Sequence, residues 1–156
     1  MTNLGYYDFE IKRRQQRIDR LFEKIRITDD PEMQSHWTRY LCILISGFLE
    51  TSLRTIYAGY ASNKAAPTVS NYVGSQLEYF QNPNMQKILE LAGAFSPKWQ
   101  AELNCLDDRV KEAVNSIVNN RNSISHGSDV GISYGRLKDY YNGALELIDK
   151  IQSLCA

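Results

Sequence analysis

Apolar side chains recur along this chain at intervals of three and four, and no segment alternates as a strand would. From Tyr6 to Ile27, the positions Tyr7, Ile11, Ile18, Leu21, Phe22 and Ile25 fall on one helical stripe, with charge on the opposite side. Asp30 before Pro31 supplies a cap and a favoured first residue for a long second helix. Its apolar line through Leu41, Leu44, Ile45, Phe48, Leu49, Leu53, Ile56, Tyr57 and Tyr60 is what a central bundle helix needs.

Between Asn63 and Asn84 the pattern is less regular. Asn82-Pro83 reads as a helix start ahead of Met85, Ile88, Leu89 and Leu91, with Gly93 and Ser96-Pro97 as breaks. A helix starting near Asp107 turns Val110, Ala113, Val114, Ile117 and Val118 inward. The last, from Tyr134, lines up Leu137, Tyr140, Tyr141, Ala144, Ile148 and Ile151. The expectation is an all-α, antiparallel up-down bundle spanning 1–156 as a single domain, without repeats or linkers.

Composition narrows this little. At 156 residues and 43% apolar content the chain can close one core unaided. Its 18 basic and 18 acidic residues cancel, so attraction for a nucleic acid must come from a local patch. Cys42, Cys105 and Cys155 stand far apart, without metal-ligand spacing, and read as reduced thiols. No leader pattern opens the chain, and the most apolar run, Leu41 to Leu49, is too short to cross a bilayer. The expectation is a cytoplasmic protein with no metal, cofactor or membrane partner.

The chemistry concentrates after Ile117. Continuing the inward line of that helix places Arg121 on it, and an always-charged guanidinium there needs an ion pair or a solvent-filled cleft. Asn122 and His126 share a helix face, whereas Arg121 and His126 diverge by roughly 140° on an ideal helix. A cleft holding both therefore requires the helix to fray. Asn119, Asn120, Asn122, Ser123 and Ser125 are poor helix formers, and Gly127 suits the left-handed residue that ends one. His126 then occupies a helix C-terminus, whose dipole favours a cationic imidazole.

The segment Arg121-Asn122-Ser123-Ile124-Ser125-His126 resembles the Arg-polar-x-x-x-His signature of the HEPN superfamily, particularly its small prokaryotic RiboL-PSP-HEPN members. The likeness extends to the second helix through Ile45-Ser46-Gly47-Phe48-Leu49-Glu50 and to the last helix. It implies a four-helix core with short additional helices, and a homodimer in which two motifs share one cleft. It also implies a metal-independent endoribonuclease, a toxin or anti-phage effector, with RNA as substrate and an antitoxin or other regulatory protein as a further partner. By position, His126 would move the proton, Arg121 would meet the scissile phosphate, and Asn122 would orient one of those two side chains or the phosphate. A subset of the family carries a regulatory tyrosine two residues after the His, where this chain has Ser128.

Two sets of residues are candidates around that centre. Glu50, alone among apolar neighbours, could answer the charge of Arg121 or His126, with Ser125 beside them. Arg13, Arg17, Arg20 and Lys24 form a basic stripe suited to RNA phosphates, though such stripes are commonly just solvated faces. Tyr134, Tyr140 and Tyr141 read as core or interface, and His36 as surface. Two other functions fit the same pattern: a non-catalytic bundle that binds nucleotides, RNA or protein, and a structural dimerisation module. The latter gives no reason for Arg121.

Overall fold

In the computed structural model, which describes residues 4–128 and 131–156, seven helices and no strands appear among the described residues. They are α1 (Leu4–Arg26), α2 (Pro31–Lys64), α3 (Pro67–Leu77), α4 (Met85–Phe95), α5 (Pro97–Asn104), α6 (Asp108–Ser125) and α7 (Tyr134–Leu154).

Helices α1, α2, α6 and α7 form the bundle, each antiparallel to the next. The Gln34 side chain donates to the Ile25 carbonyl at one end of the α1/α2 pair, and Tyr7 lies against Gly59 at the other. Cys42 of α2 reaches the Ile117 carbonyl of α6. At Gly143 a Cβ would sit 2.6 Å from that of Ala113, so only glycine lets α7 approach α6 so closely. The Tyr141 hydroxyl donates to Asp19 at 2.8 Å and closes α7 onto α1.

Helix α2 is the axis of this arrangement. Its start is as the sequence predicts: the Asp30 carboxylate accepts from the Glu32 and Met33 amides, and Pro31 opens the helix. It then runs for 34 residues, through both Gly47 and Gly59. A nine-residue apolar run understates it, because by length and composition α2 could cross a bilayer. Its apolar length lies instead against α1, α3, α6 and α7, with Leu41, Cys42, Ile45, Leu49, Leu53 and Tyr57 sealed from solvent.

The irregular stretch of the sequence becomes α3 to α5, an excursion between α2 and α6. Phe95 stacks on Tyr57, Trp99 packs tilted against the same ring, and the two cover the C-terminal half of α2. Gly93 does not interrupt α4, and the cap of that helix is Asn84, two residues beyond the predicted Asn82. Asn82 itself adopts a left-handed backbone, with φ at 49°.

Candidate active site at one end of the bundle

The alternation of α1, α2, α6 and α7 brings the C-terminus of α1, the N-terminus of α2, the C-terminus of α6 and the N-terminus of α7 to one end. The motif occupies the α6 corner. Helix α6 starts on the cap Asp107, whose carboxylate accepts from the Arg109 amide at 2.8 Å. Val110, Ala113, Val114, Ile117 and Val118 are buried on successive turns. Beyond Val118 the burial stops: Arg121, Asn122, Ser123 and Ile124 are half-buried, and Ser125 and His126 are exposed.

The helix does not fray inside the motif. It stays regular through Ser125 and ends in a closed turn, with the Gly127 amide donating to Ile124 and the Ser128 amide to Ser123. Gly127 takes φ at +78°, the left-handed value expected of it. This closure satisfies the last carbonyls and outweighs the poor helix propensities of Asn122, Ser123 and Ser125. Arg121 and His126 therefore keep the roughly 140° divergence of a regular helix, and a cleft formed by local unwinding is ruled out.

The site residues divide accordingly. The Arg121 guanidinium donates to the Asn122 side-chain oxygen at 3.3 Å, which links those two side chains. His126 and Ser125 make no side-chain hydrogen bond or ion pair with described residues, and the imidazole is open to solvent. Glu50 does not join them. It pairs with Arg54 at 3.0 Å and accepts from the Asn82 amide at 2.9 Å. Because α2 runs antiparallel to α6 and meets it at Cys42, Glu50 lies about 12 Å along α2 in the direction away from the motif.

Register points instead to residues that the sequence pattern passed over. One turn from Cys42 toward the motif end of α2 stands Arg39, and one turn from Ile117 toward the same end of α6 stands Arg121. Arg39 contacts Ser35 at 3.4 Å and the His36 Nδ1 at 3.5 Å, and His36 lies 3.8 Å from Glu32. His36 is exposed, as expected, yet the chain's only two histidines both belong to this end of the bundle. The signal that could have found Arg39 is its place in the period of α2, one turn before Cys42.

Beside these groups a concavity of about 340 Å³ separates α2 from the start of α7, lined by Pro31, Gln34, Thr38, Ile132, Ser133 and Tyr134. Tyr134 packs edge-on against Phe22 at 5.6 Å, while Tyr141 is buried with its hydroxyl bonded, so Tyr141 is core. Burial, the hydrogen bond to Asp19 and the charge of that carboxylate push the Tyr141 phenol well above its ordinary range, in that order of size.

A family model described as RiboL-PSP-HEPN matches residues 10–156. The chain belongs to the RiboL-PSP-HEPN family. No curated protein and no solved structure matches it. Membership makes a ribonuclease-like function the coarse expectation, and the all-helical architecture agrees with an HEPN fold. In this RiboL-PSP-HEPN chain the candidate residues Arg121 to His126 occupy the end of α6 and its C-cap, where the fold leaves their polar groups largely unspent.

The basic stripe on α1 is uneven. Arg13 is held by Glu10 at 2.9 Å, whereas Arg17, Arg20 and Lys24 are exposed without a side-chain partner among the described residues. The stripe runs toward the motif end, because α1 finishes beside the start of α2.

Proposed function

We propose that this RiboL-PSP-HEPN chain is a metal-independent endoribonuclease that cuts RNA through the ribose 2′-hydroxyl. The observation that carries the reading is the end of α6, where a half-buried guanidinium is braced by Asn122 and an imidazole five residues on has no side-chain partner among the described residues. His126 takes the proton from the 2′-hydroxyl, O2′ attacks phosphorus, and the bond to O5′ breaks. The leaving oxygen collects a proton from a second imidazole or from water, leaving a 2′,3′-cyclic phosphate. Arg121 lies against the non-bridging oxygens, whose charge grows in the transition state.

The angular divergence of Arg121 and His126 supports a composite site, in which the Arg of one copy works with the His of another. Trp37 and Tyr40, stacked edge-to-face at 5.9 Å and each nearly half exposed, stand on α2 at this same end and suit a partner surface. Such an activity fits a toxin or an anti-phage effector. With Ser128 in place of the regulatory tyrosine, restraint of it would come from a bound protein and not from modification at that position.

The deciding experiment incubates wild-type protein and His126→Ala with total RNA in EDTA and analyses the fragment ends. Wild type is expected to leave cyclic or 3′-phosphates, and the variant to be slower by about 10²- to 10⁴-fold, the usual contribution of one proton-transfer group. Equal rates for the two proteins would remove His126 from the chemistry. Binding without cleavage by wild type would favour a non-catalytic RNA-binding bundle, which the zero net charge and the free part of the α1 stripe also fit.

A further inference from the structure

A second concavity lies along the side of the bundle, between the middles of α1 and α2, and shares only Arg17 with the groups above. It encloses about 250 Å³. Arg14 and Arg17 stand on its α1 wall, Gly47 and Thr51 on its α2 wall, and Leu44 and Phe48 contribute an apolar floor.

Both arginines are exposed and neither has a side-chain hydrogen bond or ion pair among the described residues, unlike neighbouring Arg13. Two such forks one turn apart over an apolar floor complement an anion that carries a non-polar body.

Gly47 is the independent observation. It sits in the interior of a 34-residue helix, where glycine weakens the helix relative to alanine. Gly59 and Gly143 are explained by contacts, since a Cβ would come 2.7 Å from the Tyr7 ring at the first and 2.6 Å from Ala113 at the second. At Gly47 a Cβ would meet nothing within 4 Å, so packing among the described residues gives no reason for it. What the missing side chain provides is room on the groove wall.

We infer that this groove holds one nucleotide unit, with its phosphate on Arg14 and Arg17 and its base on the apolar floor beside Gly47. The volume is below the 300–1,000 Å³ or so of pockets for larger ligands, which suits a single flat ring. The unit comes either from a single-stranded RNA or from a free mononucleotide. The inference does not rest on cleavage, because a chain without nuclease activity would bind there equally.

The test measures binding of a labelled eight-nucleotide single-stranded RNA by anisotropy and of AMP by calorimetry. The proteins are wild type, Gly47→Gln and the double variant Arg14→Ala/Arg17→Ala, each with a thermal melt. Gly47→Gln fills the groove without touching a charge. It is expected to melt no lower than wild type and to bind at least about tenfold more weakly. The arginine pair should flatten the salt slope for RNA by about 0.7, the value for one single-strand phosphate contact. Weakening of the RNA arm alone assigns the unit to a strand, and weakening of AMP as well assigns it to free nucleotide. Wild-type affinity of Gly47→Gln for both probes overturns the site, even if the arginine variant binds less, and so does wild-type protein that binds neither probe.

Discussion

The two halves of α6 are one helix with one register, yet they are used in opposite ways. From Val110 to Val118 every inward position is apolar and at most 3% exposed, and the turn before them is capped by Asp107. Beyond Val118, Arg121 continues that line while Asn122 and His126 follow on other faces of the helix, with one side-chain contact, at 3.3 Å, between Arg121 and Asn122. The first half exchanges hydration for packing. The second keeps its hydration and its hydrogen-bonding capacity, which a site that must bind and release a charged substrate requires. A polar helix end that the fold does not consume is thus a stronger pointer to function than polarity alone.

That contrast can be broken by mutation in either half. Arg121→Ala should cut RNA cleavage by about 10²- to 10³-fold, the cost of losing one preorganised charge-stabilising group, with a thermal midpoint close to wild type. Arg121→Lys should recover part of the rate, since it keeps the charge and loses the fork. A variant that instead unfolds would show the distal half to be structural. Ile117→Ala should have the reverse signature: about 2–5 kcal/mol of stability lost in urea unfolding, with activity per folded molecule retained.

A smaller effect at the seam between α2 and α6 sharpens the same point. Burial pushes the Cys42 thiol from 9.0 up to about 11, and the Cys155 thiol likewise. The unfolded chain therefore releases these protons first as pH rises. Their contribution is fully present below about pH 9 and is lost as pH climbs through about 11. The urea midpoint should be flat near neutrality and fall across that window, and Cys42→Val should reduce the fall. An unchanged fall in that variant would mean that the thiol is not sealed in the seam.

Much of this was legible before any coordinates. The stripes of α1, α2, α6 and α7 are long and strictly periodic, so burial of one face per helix leaves few alternatives to a bundle. The Asp30-Pro31 start of α2, the Asp107 start of α6 and the Gly127 stop are local chemistry, readable from the residues alone. The excursion from α3 to α5 was less legible because its short helices are specified by contacts remote in sequence, such as Asn115 accepting from the Met85 amide. The expected fraying failed because propensity is weak against a well-closed helix end. Glu50 was misplaced because periodicity says which side a residue faces, not which partner waits there.

Glu50 and Arg54 have a consequence of their own. Arg54 donates to the Phe80 and Glu78 carbonyls at 2.9 and 3.0 Å, and Glu50 accepts from the Asn82 amide, so the pair grips the α3–α4 connector entirely through main-chain atoms. Such a clamp is blind to side-chain identity. Substitution of Tyr79, 82% exposed, should leave every grip in place, while a single inserted or deleted residue between Glu78 and Asn82 would throw them out of step. In this segment length is the tighter constraint, with Phe80 on the core and the left-handed Asn82 as the side chains that still matter.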